Sequence, residues 1–157
     1  MNWFEAKAQC EAMDGHLADF ESEDEHEAVL EEALKMEGIA GTTVGLWIGL
    51  EYSAEEGTWV WTSGKPVSYW AWSEGEPNNA GVAGVSGGGE NCAWMYTNGS
   101  DYADYADYAD YADYAAPGLW NDRRCHKGGA DSGAICKRAA VTPQCSTGDD
   151  YCVASAK

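Results

Sequence analysis

Apolar positions in the first part of the chain recur at helical spacing. Trp3, Ala6, Cys10 and Met13 fall on one stripe and predict a helix from Asn2 to Met13. Asn2 is placed to cap it, Glu5 sits at the capping-box position, and Asp14-Gly15 ends it. A second helix is expected from Ser22 to about Met36, opened by a Ser22 and Glu25 capping box. Val29, Leu30, Ala33 and Leu34 form its buried face, and the opposite face is almost wholly acidic. Beyond Gly38 the pattern changes. "GLWIGL" (45–50) is a short apolar run bounded by glycines, as in a buried strand. "GTWVWTSGKP" (57–66) alternates, with Trp59 and Trp61 on one side and a turn at Ser63-Gly64. "NCAWMYT" (91–97), "LWNDRRC" (119–125) and "GAICKRA" (133–139) read as three more strands. Residues 69–89 read as loop, first aromatic and then rich in Gly, Pro and Asn. Two helices followed by strands and a long loop make an α+β pattern.

Two low-complexity stretches interrupt it. "AGVAGVSGGG" (80–89) has the composition of a flexible loop. "DYADYADYADYADYA" (101–115) repeats every three residues, which matches neither a strand nor an α-helix face. On an α-helix each triplet would step back by about 60°, so the aspartates would spiral. The ordinary explanation is an expanded repeat tolerated in a surface loop between two strands; the functional one is an acidic strip that collects cations or a basic partner.

Composition narrows the function. The 157 residues suffice for one domain with a core, and the 8 Trp, 9 Tyr and 19 Gly suit a loop-rich fold with aromatic packing. A net charge of −18, from 27 acidic against 9 basic residues, argues against nucleic acid and anionic membrane surfaces as partners. It is compatible with cation binding, although a solvated acidic surface is the plainer explanation. No apolar run approaches transmembrane length. The six cysteines, at 10, 92, 125, 136, 145 and 152, contain no C-x-x-C pair and read as three disulfides in an oxidising compartment. No signal-peptide pattern opens the chain. An expectation that reconciles the two is a domain or processed piece of a longer secreted or extracellular protein. His16, His26 and His126 read as ordinary helix and loop residues, with no metal assigned to them.

The candidate chemistry lies in "GEPNN" (75–79), where Glu76 and Asn78 flank Pro77. A cis peptide before Pro77 would let both side chains point the same way. Two further oxygen clusters follow, Glu90-Asn91 beside Cys92 and Asn121-Asp122 in "LWNDRRC". Carboxylates and amides on loops are hard ligands of the kind Ca²⁺ takes about six to eight of. Surface polarity of an ordinary loop is the plainer alternative.

Along most of its length the sequence resembles a C-type lectin domain. The matching stretches are "WFEAKAQC" (3–10), "GHLADFESEDEH" (15–26), "LWIGL" (46–50), "WVWTSGKPVSYWAWSEGEPNN" (59–79), "ENCAWM" (90–95), "LWNDRRC" (119–125) and "AICK" (134–137). The resemblance implies two helices flanking two small antiparallel sheets, with a long loop region that binds Ca²⁺. It implies disulfides Cys10–Cys136 and Cys92–Cys125, leaving Cys145 and Cys152 to pair with each other or to begin a following segment. It implies that Glu76, Asn78, Glu90, Asn121 and Asp122 hold the ion and hydrogen-bond the sugar whose hydroxyls coordinate it. In the family Glu-Pro-Asn accompanies mannose, fucose, glucose or N-acetylglucosamine, and Gln-Pro-Asp accompanies galactose. The family's usual first strand is missing before the first helix, so the closing strand near Ile135 lacks that neighbour. Of a second calcium site only Glu56 remains, with Tyr52, Asn79 and Asn91 where carboxylates are common.

The expectation is therefore a lectin-like domain over residues 1–140, with 141–157 a tail or the start of another segment, and a glycosylation sequon at Asn98. Its function is calcium-dependent binding of mannose-type sugars on a glycan or glycoprotein. The alternative is a structural or protein-interaction domain, a subunit of a larger assembly with no sugar bound. An enzyme is disfavoured: Glu76 and Glu90 could be imagined as a glycosidase pair, but a carboxylate that ligates calcium is not available as an acid.

Overall fold

The computed structural model describes residues 1–36, 45–79, 89–97, 116–128 and 132–138. Helix α1 spans Trp3–Glu11 and α2 spans Glu23–Lys35. The Asn2 side chain accepts from the Glu5 N–H at 3.0 Å, and the Glu5 carboxylate accepts from the Asn2 N–H at 2.9 Å. Two otherwise orphaned donors are thereby satisfied, a cap worth about 1 kcal/mol. Ser22 caps α2 through the Glu25 N–H at 3.3 Å.

Strand β1 is Gly15–Leu17, β2 Gly45–Ser53, β3 Thr58–Trp61, β4 Cys92–Tyr96, β5 Trp120–Arg123, β6 Ser132–Ala134 and β7 Cys136–Arg138. β1 and β7 form a two-stranded sheet; the larger sheet runs β3-β2-β4-β5. Strand β2 is long enough to take two partners on one edge, β6 beside Gly45–Trp47 and β3 beside Leu50–Ser53. Gly49 lies between those halves. Its N–H donates to the Ala18 carbonyl at 2.8 Å, and a Cβ there would stand 2.6 Å from the Leu17 carbonyl oxygen, so no side chain fits. The pairings are antiparallel as expected, except for the parallel β2–β6 contact.

Three expectations need correction. The segment 133–139 is two strands rather than one. Ile135 lies at the break, its N–H bonded to Trp47 of the large sheet and its carbonyl accepting from Ala18 beside the small one. The closing residues therefore pair with β1 and β2. β1 was not expected, because three residues after a helix stop carry no alternation that marks a strand. Within 57–66 the strand is Thr58–Trp61, and the turn expected at Ser63-Gly64 is closed by Gly64 N–H to the Trp61 carbonyl at 2.9 Å. His26 is not an ordinary helix-surface residue; it is buried in the core. The loop 80–88, the Asn98 sequon, the repeat 101–115, Cys145 and Cys152 lie outside the described residues.

The core has two parts. Trp3, Ala6 and Cys10 of α1 pack with Leu17, Trp47, Trp94 and Tyr96. Ala33 of α2 packs with Phe20, Ile48, Leu50, Trp61, Met95 and Trp120, and Val29 and Leu30 cover them. Trp120 is the hub: the rings of Phe20, His26, Trp61, Tyr69 and Trp72 stand 5.7 to 5.9 Å from it. The disulfides Cys10–Cys136 and Cys92–Cys125 are both formed, joining α1 to β7 and the start of β4 to the segment after β5.

Candidate functional site

Strand β5 alternates. Trp120 and Asp122 are buried, while Asn121 and Arg123 are half-exposed. Trp120 locks the strand to the core, so the two polar residues after it are held in register with β4, Asn121 opposite Trp94 and Asp122 opposite Ala93. The long loop runs alongside. Trp120 donates its N–H to the Ala71 carbonyl at 2.7 Å, and Ser73 donates back to the Trp120 carbonyl at 2.9 Å. These bonds bring "GEPNN" against Asn121 and Asp122.

Asp122 is fully buried. Its two carboxylate oxygens accept from the backbone N–H groups of Asn78 at 3.0 Å and Asn79 at 2.8 Å. Two charge-assisted bonds to consecutive amides fix the loop as rigidly as a short ladder would. The Glu76–Pro77 peptide is cis. The Asn78 Nδ2 donates to Glu76 Oε1 at 2.7 Å, and Asn121 Nδ2 donates to the same oxygen at 3.4 Å and to the Tyr96 hydroxyl at 2.7 Å. The amide nitrogens of both asparagines act as donors here, and the amide oxygen is the atom through which an asparagine ligates a hard cation. Glu90 joins through its backbone, donating N–H to Asn79 Oδ1 at 2.8 Å.

Four of the five residues singled out in the sequence, Glu76, Asn78, Asn121 and Asp122, are thus linked in one hydrogen-bonded group, and Glu90 is connected to it through Asn79. The acids are crowded. Burial, a shared hydrogen bond with Asp122 and that residue's charge push the Glu76 carboxyl far above the ordinary carboxylic range, with Glu90 adding to it. Burial and the charge of Asp122 raise Glu90 as well, against a partial offset from Arg124, Arg123 and Lys127. Among the described residues no three His, Cys, Asp or Glu form a ready-made metal cluster. A cation here would depend on the amide oxygens as much as on the acids, an oxygen-only set suited to a hard ion.

Tyr96 and Asn79 were not singled out for these roles. Tyr96 lies two residues beyond Trp94, on the same face of β4 and diagonal to Asn121, so the strand register would have found it. Asn79 has φ 49°, a left-handed conformation that asparagine tolerates. Asn79, Glu90 and Asp122 line a depression of about 290 Å³ together with Tyr52, Trp59, Pro77 and Asn91. Glu56 lies apart from it, on a neighbouring groove.

The fold has counterparts among known proteins. The family described as "Lectin C-type domain" matches residues 1–138. The "Hepatic lectin" of Gallus gallus is 35% identical over 101 residues, 63% of this chain and 42% of that protein. The chain spans 25% of another curated relative, so it corresponds to part of each. Among solved structures, the cow C-type carbohydrate-recognition domain of CD23, crystallised in the presence of a GlcNAc2Man3 oligosaccharide, is 29% identical. It covers 90% of this chain and 83% of its own, with a TM-score of 0.63. A calcium-independent type II antifreeze protein is 25% identical, covering 87% and 77%, with a TM-score of 0.55. Relatives of this kind support sugar binding in general and are not enzymes; calcium accompanies the family typically but not always. With a match over residues 1–138, paired helices, small sheets and two disulfides in the expected places, the chain belongs to the C-type lectin domain family.

Proposed function

We propose that this chain is a calcium-dependent carbohydrate-binding domain, with Glu76, Asn78, Glu90, Asn121 and Asp122 as ligands of both ion and sugar. The observation that carries this reading is the convergence of the Glu76–Asn79 loop on Asn121 and Asp122 through three hydrogen bonds, with two more inside the loop between Asn78 and Glu76. Glu76 sits against the buried Asp122 and both feel the charge of Glu90, and a divalent cation would offset the repulsion among these acids. The donor set fits calcium, which takes oxygen ligands at flexible geometry. When bound, the ion supplies coordination positions for sugar hydroxyls. Around it Glu76 accepts a hydrogen bond from a hydroxyl and Asn78 donates one, so the order of acceptor and donor selects the hydroxyl pair.

Glu-Pro-Asn at 76–78 supports mannose, fucose, glucose or N-acetylglucosamine over galactose. The lectin unit is taken as residues 1–140, with 141–157 a tail or the start of a further segment, in a secreted or extracellular setting. A second reading, a structural or protein-interaction domain without sugar, is favoured by the likeness to a calcium-independent antifreeze protein. A glycan array read in calcium and in chelator separates the two. The lectin reading expects mannose-type signals that vanish with chelator; the second expects none in either.

A further inference from the structure

Tyr52, Trp59, Trp72 and Trp70 form an unbroken row of rings beside the Glu76 loop. Tyr52 and Trp59 are 5.9 Å apart at 73°, Trp59 and Trp72 4.9 Å at 61°, and Trp72 and Trp70 6.4 Å at 21°, nearly parallel. Trp59 lines two depressions at once. One is the site depression that also holds Asn79, Glu90 and Asp122. The other, about 560 Å³, is walled by Trp61 and Trp70 and edged by Glu56 and Lys65.

Trp70 is 46% exposed although it stands next to well-buried aromatics. An indole left facing water is a large apolar surface available for burial. Its support is firm: Trp72, against which it stacks, forms a β-bridge with Trp120 and packs on that ring at 5.9 Å. Lys65 is fixed at the edge by Asp19 and Glu21. The exposed indole of Trp70, with charged hydrogen-bonding groups of Glu56 and Lys65 at the rim of its groove, matches a pyranose, which has an apolar C–H face and polar hydroxyls around it. It matches a wholly apolar ligand less well, because the rim charges would be desolvated without a partner.

We infer that the Trp59–Trp70 groove is a second sugar subsite, which stacks a further ring of an oligosaccharide whose terminal residue occupies the Glu76–Asp122 site. This rests on the sugar-binding reading above. Trp59 borders both depressions, so a chain of sugars that crosses this ring would reach from one to the other, and the preferred ligand is then a chain and not a single residue.

The test uses the whole chain in calcium with two probes, methyl α-mannoside and a linear α-mannotriose, titrated by calorimetry. The wild type is expected to bind the trisaccharide about tenfold more tightly, the equivalent of one good aromatic contact. Trp70→Ala should remove that advantage and leave the monosaccharide affinity unchanged, which also reports an intact fold. Trp70→Phe should retain most of it. Equal affinity for the two probes in the wild type overturns the subsite and leaves the primary site standing. Equal weakening of both probes by Trp70→Ala also overturns it, since Trp70 would then serve the primary site. Binding of neither probe overturns both readings.

Discussion

The Nε1–H of Trp120 donates to Nε2 of His26 at 3.2 Å. An Nε2 that accepts carries no proton, so His26 is neutral and its Nδ1–H faces the Tyr69 hydroxyl at 3.2 Å. Met95 sulfur also lies 3.2 Å from Nε2. Helix α2 is thereby tied to the first residue of β5, the strand that carries Asn121 and Asp122. Burial holds the His26 pKa below its usual value, against smaller upward pulls from Gly118 and Glu23.

A base whose folded pKa is depressed gives stability that is present above its unfolded pKa and is lost as pH falls below it. The unfolded value is about 6.5, so melting temperature should fall as pH drops from about 7 toward 5. In His26→Gln that slope should flatten, at the cost of a lower melting temperature at pH 7. Thermal melts at several pH values check it; an equal slope in both proteins would show that His26 does not titrate in this range.

Asp19 forms the second polar anchor. Its carboxylate, 1% exposed, accepts from Lys137 at 2.8 Å and from Lys65 at 3.4 Å. Burial alone would raise it, but the hydrogen bonds of Lys137 and Ser63 and the charges of Lys137 and Lys65 outweigh that and hold it at about 2. An acid with a depressed folded pKa contributes stability above its unfolded value, near 4, and loses it as pH falls toward 2. A second loss of stability should therefore appear in that window, separate from the one near neutrality. Lys137→Met should cost about 3 kcal/mol, because it strips the shorter bond from a buried charge. Lys65→Met should cost clearly less, as Lys137 remains. Chemical denaturation of both variants ranks them; equal costs would contradict this division.

The two disulfides should separate stability from binding. Cys10–Cys136 closes 126 residues and Cys92–Cys125 closes 33. Chain entropy gives about 5 and about 4 kcal/mol for loops of these lengths. Removing the first pair with alanine should lower the melting temperature more and leave calcium affinity in the folded protein nearly unchanged. Removing the second should weaken calcium binding too, since Cys92 neighbours the Glu90 segment and Cys125 follows the Asp122 strand. Calcium titration of both double variants reads the difference.

Specificity should follow the order of donor and acceptor at 76 and 78. Glu76→Gln with Asn78→Asp exchanges them while keeping the shape of the loop. The expected outcome is a shift in calorimetric preference from methyl α-mannoside toward methyl β-galactoside. An unchanged preference would mean that the hydroxyls are read by other residues.

Much of this was legible in the residues themselves. Asn2 and Ser22 announce both helices because capping is a local interaction within four residues. The nearness of Glu76 and Asn78 to each other is legible because they flank one proline, and their meeting with Asn121 and Asp122 is not, because it depends on strand register 45 residues away. What was hidden depends on distant partners. Nothing near His26 shows that Trp120, 94 residues on, will accept it into the core. Asp19 is buried only because Lys137, 118 residues away, meets it. β1 exists because β7 offers it an edge, and Ile135 splits the closing segment because two sheets each claim one of its backbone groups.

The most direct measurement of the central claim is thermal melting in millimolar calcium and in excess chelator. An ion that binds only the folded state at about tenfold over its dissociation constant adds about 1.4 kcal/mol. For a domain of this size that is roughly 4 °C of melting temperature. The account predicts such a rise in the wild type and its loss in Asp122→Ala. Superimposable curves for the wild type in calcium and in chelator would contradict it.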